Sequence, residues 1–123
     1  KHPVLVDQDG PSGAPVTVWE SGAILLYLGE KTGRFIPADP RCRIAMLEWL
    51  FFQVSTQGPA GGQFAHFAYY ARPEHRYPYA IERFRNELER QLKVMEGHLA
   101  GRDWFADEYS IADMALLPYA VSW

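Results

Sequence analysis

The chain has 123 residues, enough for one domain or one and a half. Apolar residues make up 48% of it and charged residues 22%, which excludes a disordered chain. Twelve basic and fifteen acidic residues leave a net charge of −3, which argues against a nucleic-acid partner. Pro3-Val4-Leu5-Val6-Asp7 reads as a short strand rich in β-branched residues. Residues 8–15 are turn chemistry throughout, with Gly10, Pro11, Gly13 and Pro15. Val16 to Trp19 is a second strand, so the pair is expected to form an antiparallel hairpin with a long loop. Asp7 and Asp9 before Gly10 faintly suggest a calcium loop, but the later ligand spacing is missing.

A helix is expected from Ser21 to near Thr32, with Ser21 as its N-cap, Lys31 at its negative end and Gly33 at the left-handed C-terminal position. Arg34 to Pro40 reads as a linker, and Asp39-Pro40 as the cap and first residue of the next helix. From Arg41 to about Gln57 the pattern is helical and apolar on two faces. Ile44, Leu47, Phe51 and Val54 form one stripe; Ala45, Trp49 and Phe52 form the other. Such a helix is buried, or it lies between a core and a partner. Gly58-Pro59-Ala60-Gly61-Gly62 predicts a kink or break, because Pro59 removes a helix hydrogen bond. These glycines are no phosphate loop, since no Lys-Ser/Thr follows. Gln63, His66, Phe67, Tyr69 and Tyr70 then continue the helix with an aromatic face.

Arg72 to Tyr77 is a polar connection, and Pro78 opens a long amphipathic helix. Ile81, Phe84, Leu88, Leu92, Met95 and Leu99 make its apolar stripe. Arg85–Glu89 and Glu89–Lys93 are spaced for weak ion pairs on the solvent face. Gly101 ends the helix, and Trp104-Phe105-Ala106 is an apolar anchor. Ser110 caps the last helix with Asp113 reaching back in a capping box, flanked by Tyr109 and Met114 as a hydrophobic staple. That helix is apolar through Val121, contains Pro118, and is expected to be buried.

The lone cysteine, Cys42, excludes an internal disulfide and fits a reducing compartment. It reads as a small, buried or half-buried side chain rather than a reactive thiol. His2, His66, His75 and His98 have no zinc spacing; His75 and His98 read as surface residues and His66 as a packing or hydrogen-bonding residue. No apolar run reaches a membrane span, and no signal-peptide pattern is present. The chain starts at Lys1 without a Met, which suggests a piece of something longer. At the Glu20-Ser21 junction a carboxylate and a hydroxyl stand at a helix start. The free N–H groups there suit a ligand carboxylate, and Glu20 suits a ligand ammonium. The same residues also suit a plain capped helix beside a solvated glutamate.

Trp19-Glu20-Ser21-Gly22-Ala23-Ile24-Leu25-Leu26-Tyr27-Leu28 resembles the Glu-Ser motif of glutathione transferases. Lys1-His2-Pro3-Val4-Leu5 resembles the family's cis-proline strand start, and Tyr109-Ser110-Ile111-Ala112-Asp113 its buried-helix capping motif. Gly58-Pro59, Gly62-Gln63 and His66-Phe67 together resemble the bacterial nu class, whose members act on glutathione and disulfides. The resemblance implies an α+β fold: the C-terminal ββα part of a thioredoxin-like domain over 1–36, then an incomplete all-α domain over 37–123, truncated at both ends. It implies glutathione as co-substrate, held by Glu20 and Ser21 at its γ-glutamyl end and by His2 across a cis bond to Pro3. An X–Pro bond is trans by default; the resemblance alone reverses that expectation. Lys1 is implied near the glycyl carboxylate, and Arg83 as a further glutathione contact or a surface arginine beside Glu82 and Glu87.

The implied activity is conjugation to a small electrophile or thiol–disulfide exchange, in a cytoplasmic homodimer with no nucleic-acid or membrane partner. The family's thiol-activating residue lies in a first strand–helix loop with no counterpart here, so no catalytic residue and no metal ligand is assigned. The alternative is a non-catalytic transferase-like adaptor or dimerisation module.

Overall fold

The computed structural model describes residues 2–121; Lys1, Ser122 and Trp123 fall outside it. Strands β1 (Val4–Asp7) and β2 (Val16–Trp19) pair antiparallel, with Val4 opposite Trp19 and Asp7 opposite Val16. This is the expected hairpin, and its loop carries one 3-10 turn at Pro11–Gly13. Helix α1 (Ser21–Thr32) follows and stops at Gly33, whose φ of 63° lets the Arg34 N–H reach back to the Gly29 carbonyl at 3.1 Å.

Lys31, expected only to favour the helix end, instead ties α1 to the hairpin. Asp7 pairs with Lys31, accepts the Tyr27 hydroxyl at 2.7 Å and accepts the Asp9 N–H at 3.0 Å. The Lys31 hydrogen bond, reinforced by those from Tyr27 and Asp9, lowers the Asp7 pKa from 3.8 to about 2.

Asp39 caps α2 (Pro40–Phe52) as expected, accepting the N–H groups of Arg41 (2.9 Å) and Cys42 (3.0 Å). Of the predicted kink or break at Gly58-Pro59, the break does not occur. A π-turn over Gln53–Gln57 widens the helix first, so that the chain continues as α3 (Gly58–Ala65) and a second π-turn (His66–Tyr70). Pro59 falls in the first turn of α3, where its missing N–H costs little. Helix α4 (Pro78–Leu99) follows the polar connection, and α5 (Ile111–Ala120) closes the described chain.

Three apolar clusters hold the helices. Met46 and Leu50 of α2 meet Ala106, Ile111, Ala112 and Ala115, with Leu25 and Leu26 of α1 packed alongside. Phe64 of α3 meets Leu88 of α4. Met95, Phe105 and Leu116 form the third, and Trp49 joins it to the first. Met46, Ile111 and Leu116 are sealed from solvent. Each such burial contributes about 1.5–3 kcal/mol. A Cβ on Gly22 would lie 2.8 Å from Val54 Cγ1, so the glycine is what lets α1 approach the π-turn after α2.

Several expectations are corrected. His98 is no surface residue: its Nε2–H donates to the Phe105 carbonyl at 2.9 Å, and its ring stacks on Phe105 and touches Trp49. Arg85 lies over the Phe64 ring rather than pairing with Glu89, and the ion pair on this helix is Glu87–Arg90 at 2.7 Å. Helix α5 is buried only in its first half. Ile111, Ala112, Asp113, Ala115 and Leu116 are covered, but Leu117 and Val121 are exposed. Tyr109 packs against Phe35 and Trp104.

The capping box at Ser110 forms as expected. The buried Asp113 carboxylate accepts the Ser110 N–H (2.9 Å), the Ser110 hydroxyl (3.0 Å) and the Phe105 N–H (3.1 Å). The last bond was not foreseen, because Phe105 is remote from any cap position.

Asp113→Ala should therefore lose the ~1 kcal/mol typical of a cap and a further ~1–3 kcal/mol for the Phe105 N–H left buried and unpaired. Denaturant unfolding of the complete protein checks this; a midpoint equal to the parent's would refute the assignment. A second expectation concerns acid. The folded pKa of Asp7 lies below its unfolded value, so its stabilisation is present above about pH 4 and is lost as pH falls toward 2. Asp7→Asn should flatten the acid limb of the melting-temperature profile over that window and leave its shape above pH 5 unchanged.

Candidate ligand-binding site

The site is built at the end of the hairpin. The His2–Pro3 peptide bond is cis, as the resemblance implied and the residues alone did not. His2, Pro3, Trp19, Glu20 and Ser21 line one small cleft of about 80 Å³. Strand pairing sets this meeting: Val4 opposite Trp19 brings the start of β1 beside the end of β2.

Ser21 is not the N-cap. Glu20 holds that position, its carbonyl accepting the Ile24 N–H at 2.9 Å, and no side chain caps the helix. The chain turns so sharply here that Glu20 adopts φ 71° and ψ 125°, a conformation few non-glycine residues take. Such backbones cost on the order of 1–3 kcal/mol and cluster at functional sites. The turn makes Ser21 the first helical residue, exposed and lining the cleft, and its side chain does not cap the helix. First-turn N–H groups with no side-chain cap thus stand beside Glu20 and Ser21 at one small cleft. A ligand bearing a carboxylate and an ammonium fits that set.

His2, Pro3 and Ser21 also rim a wider cleft of about 480 Å³, closed on its far side by Gln53 and Tyr119. Sequence reasoning missed both of these. Gln53 sits among polar helix residues with nothing to single it out, and Tyr119 sits in a helix expected to be buried. Arg83 is exposed on α4 and lines neither cleft. Its charge acts on Glu87, where it adds to the stronger hydrogen bonds from Arg90 and Gln91 that hold that carboxyl at about 2. Lys1 lies outside the described residues. His66 is exposed, its ring edge against Phe67. Cys42 is half-buried at the start of α2, and burial, followed by a hydrogen bond to Asp39, raises its pKa. No group of His, Cys, Asp or Glu among the described residues is arranged to hold a metal ion.

A cis-proline hairpin leading into an uncapped helix, followed by packed helices, defines a thioredoxin-like end joined to an all-α unit, the architecture of glutathione transferases. The family model "Glutathione S-transferase, C-terminal domain" matches residues 78–122. The disulfide-bond oxidoreductase YfcG of Escherichia coli (strain K12) is 46% identical over 125 residues, covering 100% of this chain and 57% of that protein. The disulfide-bond oxidoreductase YghU of the same organism is 43% identical, covering 97% of this chain and 40% of that protein. A glutathione transferase structure from Pseudomonas putida, with one glutathione disulfide bound per subunit, superposes with a TM-score of 0.92. It is 44% identical, and the match covers 97% of this chain and 52% of that one. Over nearly its whole length the chain is similar to members of the glutathione transferase family, and it spans about half the length of the curated relatives it matches.

Replacing Glu20 by glycine should relieve its backbone. We expect Glu20→Gly to melt at or above the parent temperature, because glycine tolerates positive φ. A clear drop in melting temperature would show that the Glu20 side chain, not its backbone, holds this turn.

Proposed function

We propose that the complete protein binds glutathione in the small cleft and uses it as the thiol in conjugation or thiol–disulfide exchange. The observation that carries this reading is the meeting of cis-Pro3 with Glu20, Ser21 and the uncapped start of α1. Glu20 pairs with the γ-glutamyl ammonium. Ser21 and the first-turn N–H groups hold its carboxylate. The His2 backbone faces the cysteinyl unit. Lys1 toward the glycyl carboxylate and Arg83 as a further contact enter through the family resemblance alone.

Two relatives named as disulfide-bond oxidoreductases support the exchange arm and placement in the bacterial nu class. In that arm the glutathione thiolate attacks one sulfur of a disulfide. The S–S bond breaks, a mixed disulfide forms, and the departing thiolate takes up a proton.

The proposed division is a thioredoxin-like part over 1–36 and an all-α part over 37–123, joined through the first apolar cluster. A cytoplasmic setting suits the lone cysteine and the reduced state that glutathione chemistry needs. No described helix is long and apolar enough to cross a membrane. The protein is also proposed to act as a homodimer through α1 and α2. Ile44 (59%) and Phe51 (62%) are exposed on α2, and Phe51 borders an apolar cleft of about 370 Å³ against α1. Exposed apolar side chains on α2, one of them an aromatic residue beside such a cleft, favour a protein contact.

Charge-assisted contacts contribute about 1.5–3 kcal/mol each. Glu20→Ala should therefore weaken glutathione binding roughly ten- to a hundredfold, while Ser21→Ala does less because the helix N–H groups remain. Calorimetric titration of the complete protein decides it: unchanged affinity in Glu20→Ala removes the site. Phe51→Asp should convert a dimer to a monomer by light scattering at micromolar concentration, and a parent that is already monomeric refutes the assembly.

A further inference from the structure

Two buried side chains away from both clefts are only half satisfied. Gln57 and Gln91 are each 1% exposed. Gln57 Nε2 donates to the Met95 sulfur at 3.3 Å, and Gln91 Nε2 donates to Glu87 Oε1 at 2.8 Å. Neither side-chain oxygen accepts a hydrogen bond among the described residues. A buried acceptor without a donor is costly, and its presence calls for an explanation.

Turning either amide over does not remove the need. A reversed Gln57 would set its oxygen against a thioether sulfur, which has no proton to give. A reversed Gln91 would set its oxygen against the Glu87 carboxylate, which repels it. Two acceptors cannot satisfy each other, so a donor must come between them.

Helix packing brings the two amides to one layer. The buried residues of α4 are Leu88, Gln91 and Met95, spaced three and four apart on one face. Leu88 packs against Ala60 and Phe64 of α3, and Met95 receives Gln57 from the end of the first π-turn. Gln91 lies between those two contacts, opposite the same stretch of helix. The turn beyond Gln57 buries Ala60 and Gly61, which carry nothing past Cβ and leave room beside the amide.

We propose that one internal water molecule occupies this layer, donating one O–H to Gln57 Oε1 and the other to Gln91 Oε1. A single water carries the two donors that the two oxygens lack. Two neutral oxygens are too few for a cation that takes six or more oxygen ligands. The water ties the first π-turn to α4. That π-turn opens at Gln53, which lines the wider cleft, so the water braces this wall from behind. The inference is independent of what the clefts bind.

Diffraction from crystals of the complete protein should show one ordered solvent molecule about 3 Å from both oxygens. Melting of Gln57→Leu, Gln91→Leu and the double variant gives a second reading. Each single change strands the other oxygen or the water, and should lower the melting temperature by roughly 2–4 °C. The double variant removes both acceptors and should melt near or above the parent. An empty layer gives the reverse: each single change deletes an unpaired oxygen, melting rises, and the two gains add. Should a leucine variant fail to fold, diffraction from the parent decides alone. A layer without solvent, solvent touching only one oxygen, or single effects that simply add in the double variant overturns the inference.

Discussion

The buried carboxylate of Asp113 is the contact on which the rest of the structure depends. Its oxygens gather three donors from two segments, the Ser110 backbone and hydroxyl and the Phe105 N–H. Ordering the 105–106 segment this way places Phe105 in one apolar cluster and Ala106 in another. The cap also fixes where α5 begins. The Ile111 N–H then meets the Phe35 carbonyl at 3.0 Å, so the connection after α1 is pinned to the start of α5. An apolar residue at position 113 would leave those donors buried and unpaired, and no packing gain at one side chain offsets that.

From that point the order propagates toward the hairpin. Met46 and Leu50 pack on Ile111 and Ala112, and Leu25 and Leu26 of α1 pack on the same cluster. Gly22 brings α1 close to Val54. The far end of α1 is held by Asp7, which receives both Tyr27 and Lys31 from the helix. Helix α1 is thus fixed at both ends, against the helices and against the hairpin. The unusual backbone of Glu20 is what remains when a paired strand and a fixed helix must be joined by one residue. The strain belongs to the turn, and the exposed Ser21 and uncapped N–H groups are its consequence.

Much of this was legible in the sequence wherever one side chain acts on its own neighbourhood. Asp39 before Pro40, Ser110 with Asp113, and Gly33 after Lys31 each announce a helix boundary, and each boundary fell where expected. The misses share a physical cause, which is that tertiary geometry decided them. Ser21 has the better capping side chain, but the strand-to-helix turn moved the cap to Glu20. Pro59 was expected to kink or break a helix, but a π-turn that ends two residues earlier put it in a first turn. His98 was placed on the surface by its polarity; a carbonyl from Phe105, seven residues on, gives its ring a partner inside. The cis bond at Pro3 was legible only through a family likeness, since nothing in the adjacent residues demands it. Gln53 was invisible for the same reason in reverse. It lines the wider cleft beside Tyr119, and its place in a helical pattern does not announce that.

Cys42 bears on which sulfur does the chemistry. The thiolate is the reactive form, and a helix start ordinarily favours it. Here Asp39 has already taken the first N–H groups of α2, and its lowered pKa reflects that. Burial, and after it the carboxylate that caps the helix beside the thiol, opposes its ionisation. Cys42 also lines neither of the two clefts around Pro3. This cysteine is thus held protonated and placed away from the candidate site. In the proposed reaction the described residues bind and orient, and the sulfur that reacts is the ligand's own.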